Sequence, residues 1–443
     1  MGSFAMSETG ALRARKAVDG VAGEGLTEGL RNTNPRVLVL LSHYLPGFQA
    51  GGPVRSISNL ISALGGEYDF RIVTSDRDLG DNLPFPGVVS NQWIRVGLAD
   101  VRYLRAGLPG FLRMCALLCS VDRNTVIYLN SFFARRYSML AVLMRWLKVC
   151  RPRCLVIAPR GEFSPGAMRF KRSRKVLYIR LCRSFGLYSG LIWHASSDFE
   201  AEDITRQFPL MKNIKVAGIV PTPLDADWKR RTSEAITASD IAGVLSPLLR
   251  GRPRKMPGQL RAVFVSRVSR KKNLAGALRM LRGVSGDVTF DIYGPAEDAE
   301  YWEECQGLMA TLPANTRVRY KGKIEHEGVA QVFAENDLFL FPTLGENYGH
   351  VICESLMSGC PVLISDQTPW RNLEAEGIGW DIPLDDAERF RSVLQQCVDG
   401  DDEWFAELSQ RATHYASKRA SDPGILNANR ELFQRAFTWR TPR

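Results

Sequence analysis

Short apolar segments alternate with longer amphipathic segments along most of the chain. In the N-terminal half, six apolar segments are predicted to be strands: 37–41, 70–73, 93–96, 126–129, 154–158 and 191–193. Helical spacing is found near 53–64, 136–149 and 171–186, and Ser197 with Glu200 forms a capping box that begins a further helix. Apolar strands separated by helices indicate a parallel sheet covered on both faces.

The alternation stops at a polar segment with proline and arginine, residues 243–258, and then starts again. The second half is predicted to contain strands at 262–265, 288–292, 318–320, 337–342 and 361–365. Its predicted helices lie near 273–282, 299–310, 326–335, 385–398 and 424–437. The predicted fold class is therefore α/β, with two doubly wound Rossmann-like domains that face a cleft.

The same pattern predicts the domain boundaries. Residues 1–34 lack an apolar period and are expected to be a disordered tail. Residues 35–242 form the N-terminal Rossmann-like domain, 243–258 a linker, and 259–420 the C-terminal Rossmann-like domain. Residues 421–443 form a helix that packs back toward the N-terminal domain. Ligands of such sheets bind in the cleft at the carboxyl ends of the strands.

The charge of the chain is unevenly distributed. The net charge is +11, and residues 31–190 hold 24 Lys or Arg against 8 Asp or Glu. This excess predicts an anionic partner such as a membrane face, a lipid phosphate or a nucleic acid, with a merely solubilising surface as the alternative. Residues 168–187 combine seven Lys or Arg with apolar positions. That pattern suits a lipid interface, although an apolar stripe packed on the sheet is the competing explanation.

The composition also suggests a compartment. No apolar run approaches the ~18 residues of a membrane span, and no secretory signal is visible. The nine cysteines are scattered through predicted core segments. We favour core packing for the pairs Cys115/Cys119 and Cys150/Cys154 over a zinc site, since no histidine accompanies them. We expect a cytoplasmic protein, peripheral on the inner face of the plasma membrane if its basic half binds lipid.

Glu346 and Glu354 surround the predicted start of a helix at residue 350. Their segment follows one apolar strand and precedes another. The free N–H groups and the positive end of a helix N terminus favour a phosphate. A carboxylate on the preceding loop is suited to sugar hydroxyls, and a carboxylate on the second turn is suited to the two hydroxyls of a ribose. This layout predicts a site for a sugar nucleotide.

Arg267 and Lys272 follow the first strand of the second half and lead into a helix. With Glu346 and Glu354 they resemble, in order and spacing, the retaining glycosyltransferases of family 4, which have the GT-B fold. The resemblance extends over nearly all of residues 35–440. It implies that Arg267, Lys272 and Glu346 are catalytic. The donor-binding residues that it implies are Gly51, Gly52, Lys323, Tyr348, Gly349, His350, Val351 and Glu354.

In the mechanism that the resemblance implies, Arg267, Lys272 and the helix N terminus near His350 stabilise the charge that develops on the leaving diphosphate. The acceptor attacks from the leaving-group side, and a phosphate oxygen takes its proton. Glu346 holds sugar hydroxyls and Glu354 holds the ribose. A dedicated protein base is then not needed.

The first half contains a glycine loop, residues 43–55, that looks like the one in the family, but other positions differ. The segment around Arg160 and Glu162 has no histidine where many relatives place one, so these two residues are acceptor-side candidates by position only. His194 belongs either to the core or to the cleft, and we favour the core. Residues 220–225 replace the usual Asn-Gly before the linker.

The predicted function is transfer of a hexose from a nucleotide diphosphate sugar to a saccharide or lipid-linked saccharide, in cell-surface polysaccharide biosynthesis. A sugar-nucleotide epimerase or a phosphorylase of the same fold is one alternative. A non-enzymatic basic binding protein is another, although no nucleic-acid module is recognised and no nucleic-acid partner is expected. The oligomeric state is left open.

No metal and no other cofactor is expected, because cationic side chains and backbone N–H groups are available for the diphosphate. Two Asp-x-Asp matches exist, Asp76/Asp78 and Asp225/Asp227. Such pairs hold a divalent cation in other glycosyltransferases. Both lie in predicted loops away from the sugar-nucleotide segment, and we favour a structural role for them.

Overall fold

The computed structural model describes residues 34–47, 49–221 and 252–439 of the chain. The predicted tail except Asn34, residues 243–251 of the predicted linker, and the Asp225/Asp227 pair lie outside the described residues. The chain divides into two compact units. The first unit comprises the described residues up to Phe163, those from Lys171 to 221, and those from Pro423 onward, and the second comprises 164–170 and 252–422.

The first unit is built on an eight-stranded sheet. Its strands are β1 (Arg36–Leu40), β2 (Asp69–Ser75), β3 (Trp93–Val96), β4 (Ala99–Leu104), β5 (Val126–Leu129), β6 (Cys154–Ile157), β7 (Ile192–Ala195) and β8 (Ile214–Val216). The strand order is β3-β4-β2-β1-β5-β6-β7-β8, and only β3 and β4 pair antiparallel. The central strands β5 and β6 are buried along their whole length, as a sheet covered on both faces requires.

Six helices accompany this sheet. They are α1 (Gly52–Leu64), α2 (Leu108–Cys119), α3 (Leu140–Trp146), which continues a π-helical turn at Arg135–Met139, α5 (Arg172–Ser184), α6 (Asp198–Gln207) and the C-terminal helix described below. A short helix between α3 and α5 in the chain, α4 (Pro165–Arg169), belongs to the second unit. Because parallel crossovers are right-handed, α2, α3, α5 and α6 lie on one face of the sheet and α1 on the other.

The second unit is built on a six-stranded parallel sheet. Its strands are β9 (Gln259–Val265), β10 (Asp287–Tyr293), β11 (Thr316–Gly322), β12 (Leu338–Phe341), β13 (Val362–Ser365) and β14 (Gly379–Ile382). The order β11-β10-β9-β12-β13-β14 is the classical dinucleotide-binding order, in which the direction of strand addition reverses beside the first strand. The reversal lies between β9 and β12.

Seven helices follow in this described part of the chain, and the last of them belongs to the first unit. They are α7 (Leu274–Met280), α8 (Ala299–Ala310), α9 (His326–Ala334), α10 (His350–Met357), α11 (Ala387–Asp399) and α12 (Asp402–Ala420), and the C-terminal helix is α13 (Pro423–Thr438). Aspartate side chains cap several N termini: Asp298 accepts from the N–H of Tyr301, and Asp401 accepts from that of Trp404. α13 buries Leu432 and Phe433 in the same core as α1.

The two parallel-sheet units confirm the predicted α/β class. The apolar pattern does not predict α2, α12, β4, β8 or β14. The buried face of α12 consists largely of small or hydroxyl side chains, including Ser409, Ala412, Thr413 and Ala416, so its apolar period is weak. Among the described helices, none is both long and apolar enough to span a membrane.

Candidate functional site

The loops after β9 and β12 lie side by side where the strand order of the second sheet reverses. The N–H of Leu344 donates to the carbonyl of Lys271 at 2.8 Å, and the Asn273 side chain donates to the carbonyl of Pro342 at 2.8 Å. Doubly wound sheets bind their ligands at this position, at the carboxyl ends of the strands. The topology therefore brings together two segments that are about 70 residues apart in the chain.

Lys272 and Glu346 form an ion pair across these two loops. Their side chains are only 16% and 12% exposed, and the Lys272 ammonium lies 5.4 Å from the ring centre of Phe341. The Thr343 hydroxyl lies 3.3 Å from a carboxylate oxygen of Glu346. A largely buried cation and carboxylate held in this way form a preorganised polar site.

Arg267 lies on the same loop as Lys272 but is more open to solvent. Its guanidinium pairs with the carboxylate of Glu297 at 3.3 Å, and both side chains are 40% exposed. The loop is fixed to its neighbour because the N–H of Val268 donates to the carbonyl of Pro295. Gly294 permits this close approach: its φ is +132°, and a Cβ there would lie 2.0 Å from the Ser266 carbonyl oxygen.

The residue before α10 is a glycine, Gly349, and any other residue there would be strained. Gly349 has a φ of +76°, and a Cβ there would lie 2.8 Å from the Ile352 side chain. The indole of Trp370 donates to the carbonyl of Tyr348 and fixes the turn. The N-cap residue of α10, Gly349, has no side chain that could cap the helix, and the first turn contains no acidic residue. Its N–H groups and positive dipole end are thus suited to an anion.

The predicted donor residues of this helix are found around that N terminus. His350 and Val351 form its first turn and Glu354 its second, all three partly exposed. Tyr348 is buried, and burial raises the pKa of its hydroxyl well above the usual value. Its ring contacts the His350 ring edge-on at 4.8 Å. Tyr348 therefore supports the turn, while His350, Val351 and Glu354 face outward enough to reach a ligand.

Lys323 is placed differently from the other predicted donor residues of the second unit. It is exposed and follows β11, the edge strand of the sheet. Two strand spacings, or about 10 Å, separate β11 from β9. Lys323 thus follows a different strand from Arg267 and Lys272, and its role in binding the donor stays a prediction.

Gly51 and Gly52 belong to the first unit, at the carboxyl end of β1. Gly51 has a φ of +69° and precedes α1, whose N terminus is exposed and contains Gly52 and Pro53. A Cβ on Gly51 would meet no atom within 4 Å, so its conformation rather than its space requires glycine. Asn130, which follows β5, donates to the carbonyl of Pro53 and fixes this loop at the point where the strand order of the first sheet reverses.

Of the two acceptor-side candidates, Glu162 is engaged within the first unit. Its carboxylate accepts hydrogen bonds from the Ser131 hydroxyl and from the backbone N–H groups of Phe132 and Phe133. Burial raises the pKa of Glu162, and these hydrogen bonds oppose the rise. This carboxylate therefore holds the loop after β5 in place.

Arg160 is anchored on two sides. Its Nε donates to the Asn130 side chain at 2.8 Å and one Nη donates to the Tyr128 hydroxyl at 2.6 Å, while its other Nη has no hydrogen-bond partner among the described residues. The Arg160 backbone has a φ of +55°, which is unusual for a residue with a Cβ. The surrounding hydrogen bonds hold the residue in this strained conformation.

His194 belongs to the core, the role that the sequence analysis favours. Its Nε2 donates to the carbonyl of Ala217 at 2.9 Å, so its Nδ1 accepts from the Tyr128 hydroxyl at 2.6 Å. Burial, assisted by the nearby Arg160 cation, lowers the pKa of His194 to about 3. The imidazole is therefore neutral and completes a buried chain that runs from Arg160 through Tyr128.

Sequence reasoning misses several residues that support the site. Thr343 is fully buried, its hydroxyl is 3.1 Å from the carbonyl of Lys271, and it accepts from the N–H of Gly345. The Ser365 hydroxyl donates to the carbonyl of Thr343. A hydroxyl residue at or just beyond the carboxyl end of each of two buried strands, β12 and β13, is the signal that could have found them.

The alternative metal pair has other partners. Asp78 accepts from the backbone N–H groups of Gln49 and Leu79, and Asp76 pairs with the Arg77 guanidinium at 3.0 Å. Within residues 34–47, 49–221 and 252–439, no group of three or more metal-ligating side chains is found. All nine cysteines are free thiols.

Comparison with known proteins places this geometry in a family context. Residues 248–419 match the family described as glycosyl transferases group 1, a region that contains Arg267, Lys272, Glu346 and Glu354. The phosphatidyl-myo-inositol mannosyltransferase of Mycolicibacterium smegmatis is 28% identical over 179 residues, which cover 38% of this chain and 44% of that protein. The chain thus matches less than half the length of this curated relative.

Solved structures are similar over the whole fold. HepE from Anabaena, solved in complex with UDP and glucose, superposes with a TM-score of 0.61 at 15% identity, covering 90% of this chain and 99% of that one. Sucrose-phosphate synthase from Thermosynechococcus elongatus gives a TM-score of 0.65 at 16% identity, with 91% and 100% covered. At this identity the likeness concerns the fold alone. Residues 248–419 are therefore similar in sequence to glycosyl transferases group 1, and the chain as a whole has the GT-B fold.

Proposed function

We propose that this protein transfers a sugar from a nucleotide diphosphate sugar to a glycolipid acceptor, as a retaining enzyme of family 4. One observation carries the proposal: the Lys272–Glu346 pair lies where the strand order of the second sheet reverses, within the region that matches glycosyl transferases group 1. A cation and a carboxylate at this position are suited to a substrate with both a diphosphate and hydroxyl groups.

The diphosphate is bound by positive groups of the second unit. Lys272 is the largely buried cation, Arg267 is a more exposed cation on the same loop, and the N terminus of α10 supplies backbone N–H groups. Charge that develops on the leaving diphosphate is stabilised by these fixed donors, which is usually the largest catalytic contribution. The donor competes with Glu297 for the guanidinium of Arg267.

The two glutamates then have separate roles. Glu346 is on the loop and already accepts from Lys272, so its second carboxylate oxygen is directed to the sugar hydroxyls. Glu354 lies one turn into α10 and holds the ribose hydroxyls. His350 and Val351 contribute N–H groups from the first turn. The acceptor attacks from the side of the leaving group, so the configuration of the anomeric carbon is retained. A phosphate oxygen of the donor takes the proton of the acceptor hydroxyl, and a protein base is not needed.

A glycolipid acceptor is supported by the two related mannosyltransferases, because both are phosphatidyl-myo-inositol mannosyltransferases. Arg160 is the acceptor-side residue that we retain in the first unit, because its guanidinium is fixed by Asn130 and Tyr128. Glu162 positions the loop at Phe132 and Phe133 beside it.

The test is a binding and transfer experiment on the full chain. A thermal-shift screen with UDP, GDP, ADP and their common sugars should reveal one base, since a ligand at a hundred times its dissociation constant adds ~2.7 kcal/mol of stability. In a transfer assay with a lipid extract as the source of acceptor, the protein should then move the sugar from the preferred sugar nucleotide to a lipid. Conversion without any acceptor would favour an epimerase, and dependence on inorganic phosphate a phosphorylase. An unchanged melting temperature with every nucleotide would refute the proposal.

A further inference from the structure

Two helices of the first unit, α3 and α5, expose large apolar side chains next to one another. We call this the α3–α5 surface, and its apolar residues are Leu143, Trp146, Leu147, Leu177, Leu181 and Phe185. The three residues of the α5 segment are 60%, 47% and 59% exposed, in sequence order. Single exposed apolar residues are normal on a protein surface, but a group of this size calls for a partner.

Direct contacts join the two halves of the surface. The indole of Trp146 donates to the carbonyl of Phe185 at 3.0 Å, and the two rings meet edge-on at 6.4 Å. Arg145 of α3 also donates to the carbonyl of Ser189, just beyond α5. Trp146 and Phe185 therefore join the apolar residues of α3 to those of α5 where the two helices end.

α5 has a second apolar face beyond the one that covers the sheet. Ile179 and Cys182 are its buried residues. Leu177 and Leu181 are four positions apart and so lie on one line along the helix, away from that buried face. The packing explanation for the apolar stripe of residues 168–187 thus holds for Ile179, whereas Leu177, Leu181 and Phe185 remain exposed.

Arginine side chains are exposed on the same helix as the apolar residues Leu177 and Leu181. Arg172, Arg174, Arg180 and Arg183 of α5 are all exposed, and no ion pair within the described parts of the chain joins them to a carboxylate. Between residues 105 and 190 the sequence has 17 Lys or Arg and 2 Asp or Glu. Of those two carboxylates, Glu162 is engaged by Ser131 and Phe132.

We propose that the α3–α5 surface docks on an anionic phospholipid bilayer. Leu177, Leu181, Phe185 and the residues of α3 enter the headgroup boundary, and the arginines contact lipid phosphates around them. A second copy of the chain is a poorer partner, because a two-fold dimer through this surface would bring the same arginines together. The inference goes beyond the proposed function and does not depend on it, since membrane binding is measured without turnover.

The experiment is co-sedimentation of the full chain with vesicles of phosphatidylcholine alone or mixed with phosphatidylglycerol. Binding should require phosphatidylglycerol and fade with salt. Changing Arg172, Arg174, Arg180 and Arg183 to Ser should weaken it by about 10²-fold or more, because each charge near an anionic leaflet contributes about fivefold. Moderate salt screens the charges and leaves the apolar contribution to binding. Changing Leu177 and Leu181 to Ser should weaken the vesicle binding that remains under that condition.

A matched control removes the same charge from the second unit. Arg254, Arg282, Arg317 and Arg391 are exposed there, and changing them to Ser should leave vesicle binding within a few-fold. Brominated lipid should quench the tryptophan fluorescence of the unmutated protein more than that of the Trp146→Phe variant. Circular dichroism should show that all variants are folded.

Three outcomes would overturn the proposal. The first is that the unmutated protein ignores phosphatidylglycerol vesicles at low salt. The second is that the control variant loses as much binding as the α5 variant, which would indicate a response to net charge alone. The third is a concentration-dependent dimer that Leu177→Ser with Leu181→Ser abolishes, without any vesicle binding, which would assign the surface to a second copy.

Discussion

Arg267 and Lys272 are on one loop of the second unit, and both are expected to act on the diphosphate. Arg267→Ala or Lys272→Ala should each lower turnover by ~10²-fold or more, as loss of one donor to a developing charge typically does. Arg270→Ala is the matched control, because Arg270 is on the same loop but pairs with Glu300 and Glu304 of α8. Initial-rate kinetics with the preferred sugar nucleotide measure the effect.

The control should retain turnover within a few-fold, and Arg267→Ala and Arg270→Ala should keep melting temperatures close to that of the unmutated protein. Exposed ion pairs such as those of Arg267 and Arg270 contribute little to stability. Lys272→Ala leaves the largely buried Glu346 carboxylate without its partner, so it should lower the melting temperature more. Turnover within a few-fold for both Arg267→Ala and Lys272→Ala would contradict the assigned roles.

The two glutamates allow a separate prediction. Glu354→Ala should weaken binding of the bare nucleoside diphosphate, because its carboxylate is assigned to the ribose. Glu346→Ala should spare that binding and impair binding or transfer of the sugar. Calorimetry with the diphosphate alone distinguishes them, and Glu335→Ala at the end of α9 serves as a control. Equal weakening by both variants would refute the division of roles.

His194 makes the stability of the first unit depend on pH. Its pKa is about 3 in the folded protein because of burial, against about 6.5 in an unfolded chain. Below pH ~6.5 the unfolded state therefore takes up a proton that the folded state does not, and the free energy of unfolding falls as pH decreases toward ~3. The contribution of this residue should fall by about 2 kcal/mol between pH 6.5 and 5, where carboxylates remain ionised.

Urea unfolding at several pH values between 7 and 5 measures this effect. His194→Gln keeps an N–H donor for the Ala217 carbonyl but cannot titrate, so its free energy of unfolding should depend less on pH. An identical pH dependence for the two proteins would contradict the inference that this histidine is neutral and buried.

At the scale of elements, the C-terminal helix α13 completes the core of the first unit. Phe433 is fully buried and its ring lies 5.2 Å from that of Tyr68, 5.8 Å from Phe70 and 5.9 Å from Tyr128. Phe433→Ala should lower the free energy of unfolding of this unit by about 3–5 kcal/mol, because it leaves a cavity. Hydrogen exchange of the β1 and β2 amides, measured as urea is increased, would show this loss of stability.

Gln434→Ala is the control for that helix, since Gln434 is next to Phe433 in the chain and its side chain is exposed. It should change the free energy of unfolding by no more than ~0.5 kcal/mol. If Phe433→Ala were equally mild, α13 would not be an integral part of the core.

The predictability of the elements follows how clearly the local sequence marks each of them. The strands β3 and β5 and the helix α8 have the predicted bounds, because each is short and clearly apolar or begins at a strong cap. α12 is absent from the prediction since small and hydroxyl residues cover its buried face. β4 alternates charged with apolar residues, which gives too short a pattern to recognise.

At the scale of the whole molecule, the proposed mechanism needs no metal. Cations and N–H groups of the second unit meet the diphosphate, so turnover should survive EDTA, and adding Mn²⁺ or Mg²⁺ should change it by no more than a few-fold. Initial rates after exhaustive chelation check this. Complete loss of activity that Mn²⁺ restores would redirect attention to Asp76 and Asp78.

The sequence by itself determined the α/β class, the two parallel-sheet units and the segments around Arg267, Lys272, Glu346 and Glu354. Apolar periodicity reflects burial within each element, and spacing along one loop or helix is local, so both are visible in the chain. Only the tertiary structure decided which of these residues meet. Strand order brings Lys272 to Glu346 and leaves Lys323 at a sheet edge.

The tertiary structure likewise decided which apolar residues stay exposed. A helical period shows that α5 has an apolar face, but the number of neighbours around that face depends on helices distant in the chain. Packing on the sheet uses Ile179 and Cys182 and leaves Leu177, Leu181 and Phe185 at the surface. Packing also gave His194 and Glu162 hydrogen-bond partners that lie far from them in the chain, where no local pattern relates the two.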